Sequence, residues 1–312
     1  MAFMDLLRPK WKHSDPYVRS AAVGELTNQA ALAEIARTDS DCHVREVAIK
    51  KLTDQAVLAQ IAMTDFHAAV CEAAVQRLTD QTWLTEVGKS ADRSEARKAA
   101  VWKLADQTAL AEIASTDSDV DVRRSAVKNL SDQAVLTEVA RTDREVVVRM
   151  AAADKLADQA VAQATYAEIA RTDISSTRYL VGGGVACKVA AEKLTDQAVL
   201  AEIAKTHRYW DVRKEAAAKL IDQAVLAEIA ETDSDAEVRR TAIKKLTDQA
   251  VLAKVARTDS DRDVRMPAVE KLTNQAALAE IAKTDRDADV RMAAAEKLAD
   301  QAALAEIAKA HT

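Results

Sequence analysis

This 312-residue chain is poor in the residues that small secreted proteins and compact enzymes depend on: five glycines, three prolines and three cysteines. Three widely spaced thiols, Cys42, Cys71 and Cys187, imply no disulfide framework, so reduced cysteines are expected. Ten aromatic residues (four Trp, four Tyr, two Phe) are too few to build the core. That core must come from Ala, Val, Leu and Ile, small side chains that suit closely stacked helices. No apolar run reaches the roughly 18 residues of a membrane span. The opening "MAFMDLLRPKWKHSD" is too polar for a secretory leader, so a cytoplasmic location without membrane contact is expected. A basic excess is missing too: 44 Lys and Arg stand against 50 Asp and Glu, a net charge of -6. That is not the electrostatic footprint of a general nucleic-acid binder, although a local basic stripe is compatible with it.

What the chain does have is a repeat. A leucine followed by a Thr/Ala/Ser/Ile-Asp/Asn-Gln turn recurs at Leu26, Leu52, Leu78, Leu104, Leu130 and Leu156, then at Leu194, Leu220, Leu246, Leu272 and Leu298, always 26 residues apart except for one step of 38. Within a unit such as "LIDQAVLAEIAETDSDAEVRRTAIKKL", residues 220–246, two helical stripes can be read. Leu58, Ile61 and Ala62 mark the buried face of a first helix beginning near Asp54, which Thr53 or Asp54 can cap. Val44, Ala48 and Leu52 mark the second helix of the preceding unit. A hairpin this short cannot bury its apolar face alone, so neighbours must stack. The expected fold is all-α, an α-solenoid of about eleven two-helix repeats forming one domain over residues 1–312. Phe3, Met4, Leu6 and Leu7 look like a cap on its first unit.

The recurring "D-S-D-x-x-V-R-x-x-A" text at 39–48, 233–242 and 259–268 resembles the HEAT repeat, and the 26-residue period is also similar to the bacterial leucine-rich repeat variant. The resemblance spans nearly the whole chain. It implies that the second helix lines the concave side of the array. It also implies a hydrogen-bonded ladder between stacked repeats, in which Asp39, Asp117, Asp143, Asp233, Asp259 and Asp285 go with Arg45, Arg123, Arg149, Arg239, Arg265 and Arg291. With Arg19, Arg97 and Arg213 these arginines number nine, and a phosphate-reading stripe is the alternative. A partner Asp at each step favours the ladder, because it cancels the attraction for phosphate. Gln29, Gln55, Gln81, Gln107, Gln133, Gln159, Gln197, Gln223, Gln249, Gln275 and Gln301 occupy one position per repeat. An amide there can donate and accept along the stack as a seam.

Catalytic signatures are missing. Gly182, Gly183 and Gly184 are followed by Val-Ala-Cys-Lys, without phosphate-loop spacing, and neither G-x-S-x-G nor H-E-x-x-H occurs. No enzyme and no cofactor are expected. Stacking of two adjacent repeats can gather Cys42, His43, His67 and Cys71, donors that zinc accepts. Their spacing matches no compact zinc motif, and Cys71 at a ladder position also reads as a lost arginine, so no metal is assigned.

Repeats differ most in the turn between their two helices, "SDCH", "FHAA", "RYWD" and "RDAD" among others, and at the exposed positions of the second helix. Loops on a rigid scaffold are where solenoids place recognition. Aromatic residues supply contact area at hot spots, and Phe66, Trp102, Tyr209 and Trp210 interrupt otherwise charged text. Tyr166 and Trp83 instead fall at packing positions. The long step places an insertion at about 162–187. Four of its twelve extra residues lengthen a first helix, and eight make a glycine-rich loop that projects Tyr179 and Leu180. The expected function is a non-catalytic scaffold or adaptor that binds another protein or peptide through Phe66, His67, Trp102, Tyr179, Leu180, Tyr209 and Trp210. Nucleic-acid binding along the Arg/Lys face is the alternative, and a HEAT-like lyase is third. The last hairpin lacks its second helix, which is compatible with self-association through that uncapped C-terminal end or with a longer natural chain.

Overall fold

A computed structural model describes residues 9–172 and 185–298, all in helices and their connections, with no strand among the described residues. The first helix of each regular hairpin starts at the repeating Gln and runs ten residues, as in Gln29–Thr38, Gln55–Thr64, Gln133–Thr142, Gln223–Thr232 and Gln249–Thr258. Its start is fixed by the preceding Asp or Asn. Asp54, Asp132, Asp222 and Asp248 each accept two backbone N–H groups at the helix end, while Asn28 accepts one. Most second helices, Cys42–Lys51, Ala68–Arg77 and Ser94–Lys103 among them, stop at the repeating leucine, whose extended backbone turns the chain into the next unit, while Val146–Ala153 and Ala288–Glu296 end earlier, at Asp154 and Lys297.

The stripes read from the sequence are the core. Leu58, Ile61 and Ala62 are buried, as are Val44, Ala48 and Leu52, and the pattern recurs through Leu226, Ile229, Val238 and Leu246. Each hairpin is closed by its own two helices, and successive hairpins pack mainly through their second helices. Two compact units result, Met1–Val161 and Ala162–Thr312. Each unit is an α-solenoid stack whose second-helix layer is the more closely packed.

Three polar seams tie the hairpins together. In the first, Gln29 donates to the Lys51 carbonyl, and its Oε1 accepts from the N–H and hydroxyl of Thr53. Gln55, Gln107, Gln223 and Gln249 repeat the arrangement. At the long step, Gln163 rather than Gln159 takes this role, bonding the Lys193 carbonyl and Thr195. One added helical turn explains this: the helix is Gln159–Arg171, thirteen residues instead of ten. The division between the two units falls within that added turn.

The second seam lies at the ends of the second helices. Lys103 donates to the carbonyls of Val75, Gln76 and Leu78, Arg77 to Leu52, Asn129 to Val101, Lys245 to Ala218 and Lys271 to Lys244. Cations placed at the unsatisfied carbonyls of a helix C-terminus are favoured by the helix dipole as well. Burial, and secondarily Arg77, draws Lys103 below the ordinary lysine value, and burial does the same to Lys155 and Lys271.

The third seam is the arginine ladder, and its register differs from the expected one. Arg45 takes only the backbone carbonyl of Asp39, while its Nε and Nη2 make a bidentate pair with Asp65 of the next repeat, at 2.8 and 3.0 Å. The Asp39 carboxylate belongs to Arg19. The same geometry joins Arg97 to Asp117, Arg123 to Asp143, Arg213 to Asp233, Arg239 to Asp259 and Arg265 to Asp285. Each ladder Asp also accepts the N–H two residues on, as Asp65 does from His67, so one carboxylate shapes the turn and anchors the neighbouring repeat. Arg149 and Arg291 keep the carbonyl bond, to Asp143 and Asp285. The carboxylate in register with Arg149 is Asp173, outside the described residues, and its Nε finds no acceptor among those described.

Candidate functional site

Outside the seams, exposed side chains lie in the inter-helix turns and on both helices of each hairpin, and the turns and second helices are where the repeats differ most. Six of the described second helices are capped by the side chain of a turn aspartate: Asp15, Asp41, Asp119, Asp235, Asp261 and Asp287. Four others have His67, Arg93, Glu145 or Tyr209 at that place, with no side-chain cap. Giving up such a cap costs about 1 kcal/mol, so these turns sacrifice local stability for a different side chain.

The aromatic residues fall into two groups. Tyr166 is buried in the core and Trp83 half-buried, as packing residues. Phe66, Trp102 and Trp210 are 71%, 51% and 45% exposed. Each of these three carries a cation over its ring: Arg45 at 4.7 Å from Phe66, Lys128 at 5.8 Å from Trp102, Lys214 at 5.6 Å from Trp210. Tyr209 is half-buried, its ring 5.6 Å from His207 and 4.9 Å from the Arg208 guanidinium. His67 is exposed in the turn beside Phe66. Tyr179, Leu180 and the three glycines lie outside the described residues, as do Phe3, Met4, Leu6 and Leu7 and the chain's end after Leu298.

In the seven paired rungs the guanidinium is taken up by a carboxylate and by backbone carbonyls. Arg45 and Arg265 are 1% and 2% exposed, with the N–H edges of the guanidinium committed to carboxylate and carbonyl. Hydrogen bonds donated to Asp233 and Asp259, working against burial, hold Arg213 and Arg239 above the ordinary guanidinium value. Clefts of about 520 and 480 Å³ open over the ladder at Asp117–Asp143 and Asp233–Asp259, walled by these mutually bonded groups.

Two rungs have been replaced, each on both sides. Where Cys71 stands for the arginine, Ala91 stands for its aspartate, twenty residues on; where Cys187 does, His207 does likewise. Each thiol keeps the shared carbonyl bond, Cys71 to Asp65 at 3.1 Å and Cys187 to Thr172 at 2.9 Å. His207 Nδ1 accepts the turn N–H of Tyr209, the place of an aspartate oxygen. Removing one charge alone would strand its partner in a buried setting, which is costly.

The candidate cluster of Cys42, His43, His67 and Cys71 is not brought together as such. Cys71 is fully buried with its S–H turned to the Asp65 carbonyl, and burial first, then Asp65, pushes its thiol up to about 11. The grouping that forms is Cys42, Glu46 and His67, whose ligand atoms all lie within 4.8 Å of one another. Glu46 escaped notice in the sequence because it reads there as one of the variable outer positions; its signal was the i, i+4 spacing from Cys42.

No protein-family description matches the chain, and no curated protein matches it. Among solved structures it is similar to that of YibA from E. coli, at 16% identity over 92% of this chain and 97% of that one, with a TM-score of 0.31. A designed armadillo repeat protein, YIII(Dq)4CqI, is similar at 19% identity over 91% and 98%, with a TM-score of 0.12.

Proposed function

We propose that the chain is a non-catalytic scaffold or adaptor that binds a protein or an extended peptide through the inter-helix turns and outer second-helix surfaces of its hairpins. The observation that carries this reading is the contrast between side chains consumed by the three seams and those left over. The seams take up glutamine, lysine, arginine and aspartate in most repeats, whereas several departures from the period are exposed aromatic residues stacked with cations. Such side chains give large contact area and directional polar contact together, the composition of interface hot spots. Four turns without side-chain caps support the same reading, since these positions have been released from their structural task.

Nucleic-acid binding along the arginines is disfavoured by their bidentate pairing, because phosphate would have to displace two charge-assisted bonds at each step. Crosslinking and capture from a native lysate, with the full chain and with Phe66→Ala, Trp102→Ala and Trp210→Ala variants, tests the proposal. The expected result is a protein partner whose capture falls with at least one variant while the fold is unchanged. Capture that none of the substitutions alters would refute the placement. Retention on DNA or RNA at low salt, falling as salt rises, would refute the choice of partner class.

A further inference from the structure

We propose that Cys42, Glu46 and His67 form a binding site for a divalent metal ion of the zinc type, joining two adjacent hairpins. Cys42 is the first residue of the helix Cys42–Lys51 and Glu46 lies four residues on, so both project from one side of its opening turn. His67 comes from the next hairpin, at the N-cap of Ala68–Arg77. The three donor atoms, thiol sulfur, carboxylate oxygen and imidazole nitrogen, are within 4.8 Å of one another. Zinc bonds of about 2.0–2.3 Å place tetrahedral donors roughly 3.3–3.6 Å apart, so a closing movement of about 1.5 Å or less by three side chains completes the geometry. Sulfur, nitrogen and oxygen in one set suit a borderline-soft ion and not calcium or magnesium, which take oxygen alone. Three protein donors leave the fourth position to water or to a group brought by a partner.

A second observation points the same way. The aspartates at the place of His67 in other repeats, such as Asp41, Asp235 and Asp261, cap their helices. His67 does not, so the exchange forfeits a stabilising contact and gains none of that kind. The positions equivalent to Cys42 and His67 in the following pair of hairpins are Ala68 and Arg93, which offer no metal donor, although Glu72 is retained. Among the described residues the three donors coincide only where the first of these hairpins meets the second. Binding would convert the Cys42 thiol to thiolate, releasing one proton to solvent, with His67 coordinating as the neutral ring.

The test uses the full chain, reduced and stripped by a chelator, titrated with Co²⁺ and then Zn²⁺. One equivalent of Co²⁺ should produce a thiolate-to-metal charge-transfer band and the d–d absorption of a four-coordinate ion, and Zn²⁺ should abolish both. Cys42→Ser should remove the charge-transfer band and weaken binding on the order of 100-fold, beyond what loss of a mere supporting residue does. Cys71→Ser should bind as the parent does. His67→Ser guards against misfolding, because serine restores the cap while removing the donor: it should be at least as heat-stable as the metal-free parent and fail to bind. Zn²⁺ should raise the unfolding temperature of the parent and leave that of His67→Ser unchanged. Absence of stoichiometric binding by the folded parent, or a charge-transfer band surviving in Cys42→Ser, would overturn the assignment.

Discussion

The hairpins from Arg213 to Asp285 and those joined across Cys71 and Ala91 follow the same period and bury the same aliphatic positions, yet they are held together differently. In the first region every step carries a bidentate Arg–Asp rung of about the same length, 2.7–2.8 Å from Nε. In the second, the rung is missing and the step is held by packing, by Lys103 on the carbonyls of Val75, Gln76 and Leu78, and by the Asp92 N–H on the Met63 carbonyl. Both charges of the rung are missing together at Cys71 and Ala91, and again at Cys187 and His207. The ladder therefore behaves as a set of pairs and not as a row of independent arginines. A pair can be exchanged for neutral groups at little cost, whereas half a pair leaves a buried charge unanswered.

The largest effect should come from halving an intact rung. Asp259→Ala strands the largely buried Arg239 and removes the turn acceptor for Asp261; a loss of about 3–5 kcal/mol in chemical denaturation is expected. The converse experiment rebuilds the missing rung. Cys71→Arg alone should destabilise, and adding Ala91→Asp should recover on the order of 1–3 kcal/mol of that loss, read as the coupling in the same assay. A smaller effect, roughly 1–2 kcal/mol, is expected for Gln249→Ala, which removes exposed bonds to Lys271 and Thr273 from the seam that both regions share.

Thiol chemistry separates the two cysteines of the rung-free region without altering its stability. At mildly alkaline pH, half-exposed Cys42 should react with a disulfide reagent in the native protein, and Cys71 only on unfolding, since burial holds its thiol up at about 11. The folded value lies above the ordinary 9.0, so the stability this thiol contributes is intact below about pH 9 and is lost as pH rises through 11.

Much of this was legible in the sequence, for reasons that are physical. Helix stripes, the caps at Asp54 and Asp248, the glutamine seam and the added turn before Tyr166 follow from spacing along one chain, and spacing is what a sequence displays. The register of the ladder does not follow. A 26-residue period places an aspartate both six residues before and twenty after each arginine, and only the stacking of neighbouring hairpins decides which carboxylate is reached. The lysine seam is likewise hidden in one chain's spacing, because Lys103 and Lys271 serve the end of the second helix one hairpin back. Glu46 joined Cys42 and His67 for a similar reason: contact across repeats depends on which way a helix face turns, and the charge of a residue does not record that.

The most direct test of the paired ladder is a double-mutant cycle on one rung, with Arg239→Met, Asp259→Ala and both together measured by equilibrium denaturation of the full chain. Paired charges predict that the double variant loses less than the sum of the single losses, with a coupling of about 1.5–3 kcal/mol. Single losses that add to within about 0.5 kcal/mol would contradict it, and would mean that each side chain acts through separate contacts.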